Sequence, residues 1–259
     1  MKARAIACTG PQRTEVIDIE LPDTPAPGEV LVAKRYCSAS PGTDLRCIRL
    51  AQPGGARLPF VMGYSSVGVV EAVGDGVDMA VGTPVFCMGT RHLQEHSSWG
   101  AYTSHGLHGA DEVVPVPTGV DLRYAALTKI AAISYHGLRL AQPLPHERVA
   151  VVGLGIIGQL AARLYHLAGA HVVAADPQAR RQELARAVGI GIAKDPAAGL
   201  QQAFAAHFPD GADLVVDATG HPTVLAESVN LARDLPWDES FTPAPRLLMQ
   251  GSYVAEAPM

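Results

Sequence analysis

Cysteine is scarce and never arranged in pairs. Cys8, Cys37, Cys47 and Cys87 are scattered with no C-x-x-C among them. That excludes a zinc lobe built on such a pair and argues against a disulfide framework in a chain of this size. Charge is thin, at 17% of residues, and the formal net charge of −5 is spread without runs. Nothing in that balance draws nucleic acid or an anionic membrane. Apolar runs of membrane-spanning length are missing. The opening Met1-Lys2-Ala3-Arg4 stretch has no apolar core of the signal-peptide kind. Together these absences predict a soluble, reduced, cytoplasmic protein whose partner is a small molecule.

What is present is material for a core. Hydrophobic residues make up 48% of 259 positions, enough for two modest domains or one large one. The most informative stretch begins at Val149–Val152, a continuous apolar and largely β-branched run that predicts a buried strand. Gly153, Gly155 and Gly158 follow at G-x-G-x-x-G spacing, and Ile156–Ala168 carries apolar residues at helical intervals up to Gly169. A second strand, Val172–Ala175, ends at Asp176. Gly153 allows a tight turn, Gly155 lets backbone approach a pyrophosphate, and Gly158 lets helix pack on strand. The helix N-terminus offers unpaired N–H groups to phosphates. Asp176 can accept ribose hydroxyls and would repel a 2′-phosphate, which favours NAD over NADP. Arg180 and Arg181 nearby work against that discrimination. The same glycines would also serve a ligand-free α/β turn.

Residues 1–118 have all-β punctuation, with short β-rich runs at Glu15–Ile19, Glu29–Lys34, Val67–Val73, Pro84–Cys87 and Glu112–Val116 between Pro and Gly clusters. Strands of that length and spacing predict a small barrel. A helix is expected over Arg123–Leu140, leading into the glycine stretch. Beyond Asp176 come a helix near Gln178–Val188, a strand at Ile190–Ala193, a helix to His207, a strand at Ala212–Asp217, a helix near Thr223–Asp234 and a strand at Arg246–Gln250. Repeated β-α units predict a parallel, doubly wound sheet.

This arrangement resembles the medium-chain dehydrogenase/reductase superfamily, the zinc alcohol dehydrogenases and their zinc-free relatives. The residues that carry the resemblance are Ser40-Pro-Gly-Thr-Asp44, Gly63-Tyr-Ser-Ser-Val-Gly68, Val81-Gly-Thr-Pro-Val85, Lys129–Arg139 and the glycine stretch, in the family's order. The resemblance implies an α/β protein with a GroES-like β-barrel domain, residues 1–118, and a Rossmann domain, residues 119–259. It implies cofactor contacts from Gly153, Leu154, Gly155, Ile156, Ile157, Gly158, Asp176, Arg181 and Thr219. Family members continue beyond the point matching Met259, so the Rossmann sheet is expected to lack its C-terminal edge, either by truncation or as a natural short form. The resemblance allows a homodimer.

In zinc-bearing members a Cys, a His and a Cys or Glu hold the metal. At those positions this sequence has Pro41, Tyr64 and Lys129. Proline has no ligand atom, tyrosine rarely binds zinc and lysine repels it, so no catalytic zinc is expected. Thr43 stands at the family's proton-relay position. If Tyr64 and Lys129, expected on different domains, share the vacated pocket, the ammonium favours phenolate by roughly 4 kcal/mol, or about three pKa units. That would suit Tyr64 to acid–base work. The alternative is that Tyr64 packs and Lys129 pairs with an acid such as Asp44. His92 and His96, with Glu95 between them, could form a metal or substrate-pocket site, and Trp99 and Tyr102 could line a pocket. His136 reads as a core histidine.

The reading is an NAD-dependent, zinc-independent oxidoreductase acting on a secondary alcohol of a polar or cyclic metabolite. The closest branch by motif is zinc-free, similar to bacteriochlorophyllide and polyol dehydrogenases. An NADPH-dependent quinone or enoyl reductase and a non-catalytic nucleotide-binding or scaffold protein stand as alternatives.

Overall fold

The computed structural model describes all residues except 51–57, 95, 98, 194–195, 236–242 and 254–259, and only the backbone of Leu50, His96 and Ser97. Two compact units comprise residues 1–129 and 130–259. None of the four cysteines forms a disulfide, and no described helix is long and apolar enough to cross a membrane.

The first unit runs β1 (Lys2–Gly10), β2 (Arg13–Glu20), β3 (Glu29–Cys37), α1 (Pro41–Leu50), β4 (Phe60–Val61), β5 (Ser66–Val73), β6 (Pro84–Cys87), β7 (His96–Ser97), β8 (His105–Gly109), β9 (Val114–Pro115) and α2 (Leu122–Ala125). Its sheets have the orders β2-β1-β4-β7 and β8-β3-β5-β6-β9. Alternation drives the first strand, with Ala3, Ala5 and Ala7 turned inward and Lys2, Arg4 and Ile6 outward. Val30, Val32, Val70, Val85 and Cys87 fill the larger sheet's core. The Lys34 ammonium donates to the carbonyls of Gly89 (2.8 Å) and Ala101 (3.2 Å), and burial pulls its amine below the usual lysine range. Burial first, and the charge of Lys34 second, push the imidazole of nearby His108 down to about 3.

Sequence patterning misses β1, β8 and α1. The inward residues of β1 are alanines, which carry little β-propensity, and β8 reads His-Gly-Leu-His-Gly. The helix expected over Arg123–Leu140 is broken, as α2 ends at Ala125 and α3 (Thr128–Ala141) begins afresh.

The second unit contains most of α3, then β10 (Arg148–Val152), α4 (Ile156–Leu167), β11 (His171–Ala175), α5 (Ala179–Arg186), β12 (Gly191–Ile192), α6 (Leu200–Ala205), β13 (Leu214–Asp217), α7 (Pro222–Ser228) and β14 (Arg246–Met249). All strand pairs are parallel, in the order β12-β11-β10-β13-β14. Successive residues of β10 face opposite layers. Val149 and Val151 pack with Ala161, Tyr165 and Leu214, while Ala150 and Val152 pack with Phe204, Phe208 and Val215. Both faces are therefore covered, as a doubly wound sheet requires. The strand order reverses between β10 and β13, and ligands bind such sheets at the carboxyl ends of strands beside that reversal. The helix expected to reach Asp234 stops at Ser228, followed by a single 3-10 turn, Val229–Leu231.

Glu29, buried at the start of β3, anchors the segment after β6. Its carboxylate accepts from His92 Nε2 (2.8 Å), Arg91 Nη1 (3.2 Å) and the Ala26 N–H (3.2 Å). Arg91 also reaches Glu112 at 2.7 Å. Burial alone would raise the Glu29 carboxyl, but the bonds from His92 and Arg91 outweigh it and hold the group below its ordinary value. A carboxyl lowered on folding contributes stability above its unfolded pKa, about 4.3, and loses it as pH falls through the folded value. Glu29→Gln should therefore lower stability to urea at pH 7, with the deficit closing as the pH drops below about 4. A deficit of constant size across that range would mean that packing, not charge, is what Glu29 contributes.

Candidate active site

In the second unit the site grows from the end of β10. Gly153 turns the chain at φ +89°, and a Cβ there would meet Thr219 Cγ2 at 2.8 Å. Gly155 caps α4 with φ −63° and ψ −175°, and a Cβ there would meet nothing within 4 Å. At Gly158 a Cβ would lie 1.8 Å from the Gly153 carbonyl oxygen. The helix thus starts hard against the turn, and its first N–H groups, which have no partners inside the helix, sit at the carboxyl edge of the sheet. An anion could approach over Gly155, where there is no side chain in the way. That geometry fits the pyrophosphate of a dinucleotide. Ile156 and Ile157 form the first turn of α4, and the Ile157 carbonyl accepts from Ser134 Oγ of α3 at 3.2 Å.

Asp176 follows β11 and is only 3% exposed. Its Oδ2 accepts the Leu154 N–H at 2.8 Å and Arg181 Nη1 at 3.1 Å, and its Oδ1 accepts the Gln178 N–H at 2.8 Å. The acid therefore ties the glycine turn to the loop after β11, and one of about four carboxylate acceptor directions is left over. Arg181, expected from the sequence as a cofactor contact, is the ion-pair partner of Asp176 at 3.1 Å.

Thr219 abuts Gly153 through its methyl group, not through its hydroxyl. Its Oγ1 donates to Asp217 Oδ1 at 2.7 Å and accepts the His221 N–H at 3.1 Å. Asp217, fully buried at the end of β13, is a residue that sequence reading did not single out. The available signal was an acid closing an apolar strand, Leu214-Val-Val-Asp217, in the same position as Asp176 after Val172–Ala175.

In the first unit Pro41 opens α1 and Thr43 lies in its first turn, where Ser40 Oγ donates to Thr43 Oγ1 at 3.3 Å. Buried Asp44 accepts the Ser40 N–H at 2.9 Å and the Tyr102 hydroxyl at 2.5 Å. Burial first, and Asp44 next, raise the Tyr102 phenol above its ordinary range. Asp44 therefore is not the partner of Lys129. Tyr64 is 8% exposed and meets the Trp99 ring edge-on, with centroids 5.5 Å apart. Lys129, half-buried in the first turn of α3, belongs to the same unit as Tyr64. Among the described residues no hydrogen bond or ion pair joins Thr43, Tyr64 and Lys129. Tyr102 lines an open cavity of about 260 Å³ with Arg4, Cys37 and Thr103. His92 is committed to Glu29, while Glu95 and the side chain of His96 lie outside the described residues. His136 is exposed, not a core histidine, because the buried stripe of α3 runs through Ile130, Ser134, Gly137 and Ala141. Proline, tyrosine and lysine at the family's ligand positions do not fit a zinc ion, and no cluster of three His, Cys, Asp or Glu suited to a metal occurs among the described residues.

Residues 26–118 match the family described as "Alcohol dehydrogenase GroES-like domain", and residues 157–234 match "Zinc-binding dehydrogenase". An alcohol dehydrogenase from Geobacillus stearothermophilus is 29% identical over 65% of this chain, which spans 56% of that protein's length. L-galactonate-5-dehydrogenase of Escherichia coli is 36% identical over 49% of the chain and 41% of its own length. Among solved structures, the short chain alcohol dehydrogenase rspB of E. coli CFT073, complexed with NADH, superposes with a TM-score of 0.75. It is 26% identical, with 89% of this chain and 73% of that one covered.

The glycines divide by what surrounds them, and that predicts opposite mutational outcomes. Gly158→Ala must push back the Gly153 carbonyl, and should lower the unfolding free energy by at least about 2 kcal/mol. Gly155→Ala, facing open space, should stay within about 0.5 kcal/mol of wild type. Equal losses in thermal or urea unfolding would contradict this local geometry.

Proposed function

The chain belongs to the medium-chain dehydrogenase/reductase superfamily, and on that premise we propose an NAD-dependent, metal-independent oxidoreductase. Its reaction interconverts a secondary alcohol and a ketone on a polar or cyclic metabolite. The observation that carries this reading is the Gly153–Gly158 cradle opening α4, with Asp176 across the turn at the end of β11. The alcohol dehydrogenase and the L-galactonate-5-dehydrogenase among the relatives support the substrate class, and the NADH of the rspB structure supports the cofactor.

Gly153, Leu154, Gly155, Ile156, Ile157 and Gly158 would hold the pyrophosphate, with Thr219 closing the turn from below. Asp176 would take a ribose hydroxyl on its remaining acceptor direction. When bound, the nicotinamide accepts or returns a hydride. Loss of hydride from an alcohol requires loss of the hydroxyl proton as well. With Pro41, Tyr64 and Lys129 at the family's ligand positions, that proton has to go to a side chain. We assign it to the Tyr64 hydroxyl oxygen, directly or through Thr43, with Lys129 as the cation that would offset the developing charge once substrate and cofactor are bound. Ketone reduction uses neutral Tyr64 as the acid.

Cofactor choice is the first test. NAD(H) should bind at least tenfold more tightly than NADP(H), a gap of about 1.4 kcal/mol, and Asp176→Ser should narrow it. The Arg181 pairing supplies the opposing case. If that guanidinium governs, calorimetry will give equal or reversed affinities, and the dinucleotide is NADP.

The acid–base assignment has its own test. Tyr64→Phe should lower turnover by about 10²–10⁴-fold with little change in NADH affinity, and Lys129→Met should raise the apparent pKa of the pH–rate profile. Chelators should leave wild-type turnover intact. Near-normal turnover in Tyr64→Phe reduces Tyr64 to a packing residue against Trp99. One zinc per purified chain would end the metal-independent reading.

A further inference from the structure

Asp217 is a carboxylate with no side-chain access to solvent at the carboxyl end of β13. Thr219 donates its N–H (2.8 Å) and its hydroxyl (2.7 Å) to Oδ1, and Ser228 Oγ lies 3.2 Å from Oδ2 but shares its single proton with the Val224 carbonyl at 2.8 Å. All three groups are neutral. Among the described residues no Lys, Arg or His lies within ion-pair distance. The main-chain oxygen of Asp217 gathers the segment after β14, accepting from the Gln250 N–H (2.8 Å), the Gly251 N–H (3.0 Å) and the Tyr253 hydroxyl (3.4 Å). Gly220 and Gly251 approach so closely that a Cβ on Gly251 would lie 2.4 Å from Gly220 N. One buried acid therefore fastens the loops that follow β13 and β14, and it does so without a counter-charge.

Desolvating an unpaired carboxylate is expensive, and a Ser or Asn could fasten loops without that cost. The charge calls for a separate explanation. A dinucleotide on a doubly wound sheet straddles the strand-order reversal, here between β10 and β13. Asp176, after β11, lies on the adenosine side of it. The half over β13 and β14 is left for the nicotinamide, whose ring carries a positive charge when oxidised and none when reduced. We propose that Asp217 is a charge-setting residue for this cofactor, its buried carboxylate favouring the oxidised, cationic ring over the reduced one. The inference rests on the nicotinamide reading of the site. Asp217 acts through its field, not by contact. A unit charge even roughly 10 Å away, under an effective dielectric near 20, is worth on the order of tenfold in affinity.

Calorimetric titration of the full chain with three ligands tests this. They are NAD⁺, NADH, and the dinucleotide in which benzamide replaces nicotinamide, giving a flat ring with the same amide and no charge. Wild type should bind NAD⁺ at least about tenfold more tightly than the benzamide dinucleotide. Asp217→Asn keeps an acceptor for Thr219, removes the charge and puts an amide N–H in place of Oδ2, facing the Ser228 hydroxyl oxygen. It should weaken NAD⁺ about tenfold while NADH and the benzamide dinucleotide stay within about twofold. A merely structural role predicts equal weakening of all three, and that result overturns the proposal. If Asp217→Asn is unfolded by circular dichroism, the wild-type comparison decides, and equal affinity for NAD⁺ and the benzamide dinucleotide overturns it. Failure of wild type to bind any of the three instead removes the cofactor reading itself, and this inference with it.

Discussion

The second unit depends on a contact that only glycine permits. The carbonyl of Gly153 occupies the space where any side chain on Gly158 would begin, 1.8 Å from an ideal Cβ. That approach lets α4 start immediately beyond β10 instead of after a longer loop. Two consequences come with it. The unpartnered N–H groups of the first helical turn are delivered to the carboxyl edge of the sheet. The Leu154 N–H is also brought within 2.8 Å of Asp176, so the acid after the neighbouring strand braces the same turn. A surface suited to an anion and a carboxylate beside it thus follow from one close packing of backbone.

Much of this was legible in the sequence because the signals were local and redundant. The strand, the glycine spacing, the helical periodicity and the closing acid of residues 149–176 all report on one another. In the first unit a strand rich in β-branched residues, such as β5, was equally plain. Strand β1 was not, because its inward face is alanine, and β8 was hidden by its histidines and glycines. The partners of the charged side chains were not legible at all. Nothing in sequence spacing says that His92 turns to Glu29, 63 positions away, or that Asp44 is claimed by Tyr102, 58 positions away. Those choices are made by which strands become neighbours, and periodicity carries no information about them.

In the first unit a tyrosine ring and a buried acid account for local sequence without any ligand. Around α1 the polar groups satisfy one another. Ser40 and Thr43 share a hydroxyl contact, and Asp44 collects the Ser40 N–H and the Tyr102 hydroxyl. Tyr102 is held over Gly63, where a Cβ would lie 2.2 Å from its ring. Glycine at 63 is therefore required by the tyrosine that stands over it, independently of any ligand at residue 64. This is a physical reason for the glycine of the Gly63-Tyr64 pair that owes nothing to the chemistry of residue 64.

The two acids that close β11 and β13 make a useful contrast, since strand chemistry and burial are alike and only the partners differ. Asp176 receives a guanidinium from its own chain at 3.1 Å. A carboxylate already paired in this way responds weakly to the charge of whatever binds next, because part of its field is cancelled at the source. Arg181 is also about 42% exposed, so solvent screens what remains. Asp217 is bonded by neutral donors, the Thr219 N–H and hydroxyl foremost, and among the described residues it has no cation and no solvent to attenuate it. Hydrogen bonds stabilise such an anion without cancelling its net charge. Of the two residues, the one that sequence reading would choose for electrostatic discrimination is thus the more shielded. The residue it passes over keeps its field intact toward the same edge of the sheet.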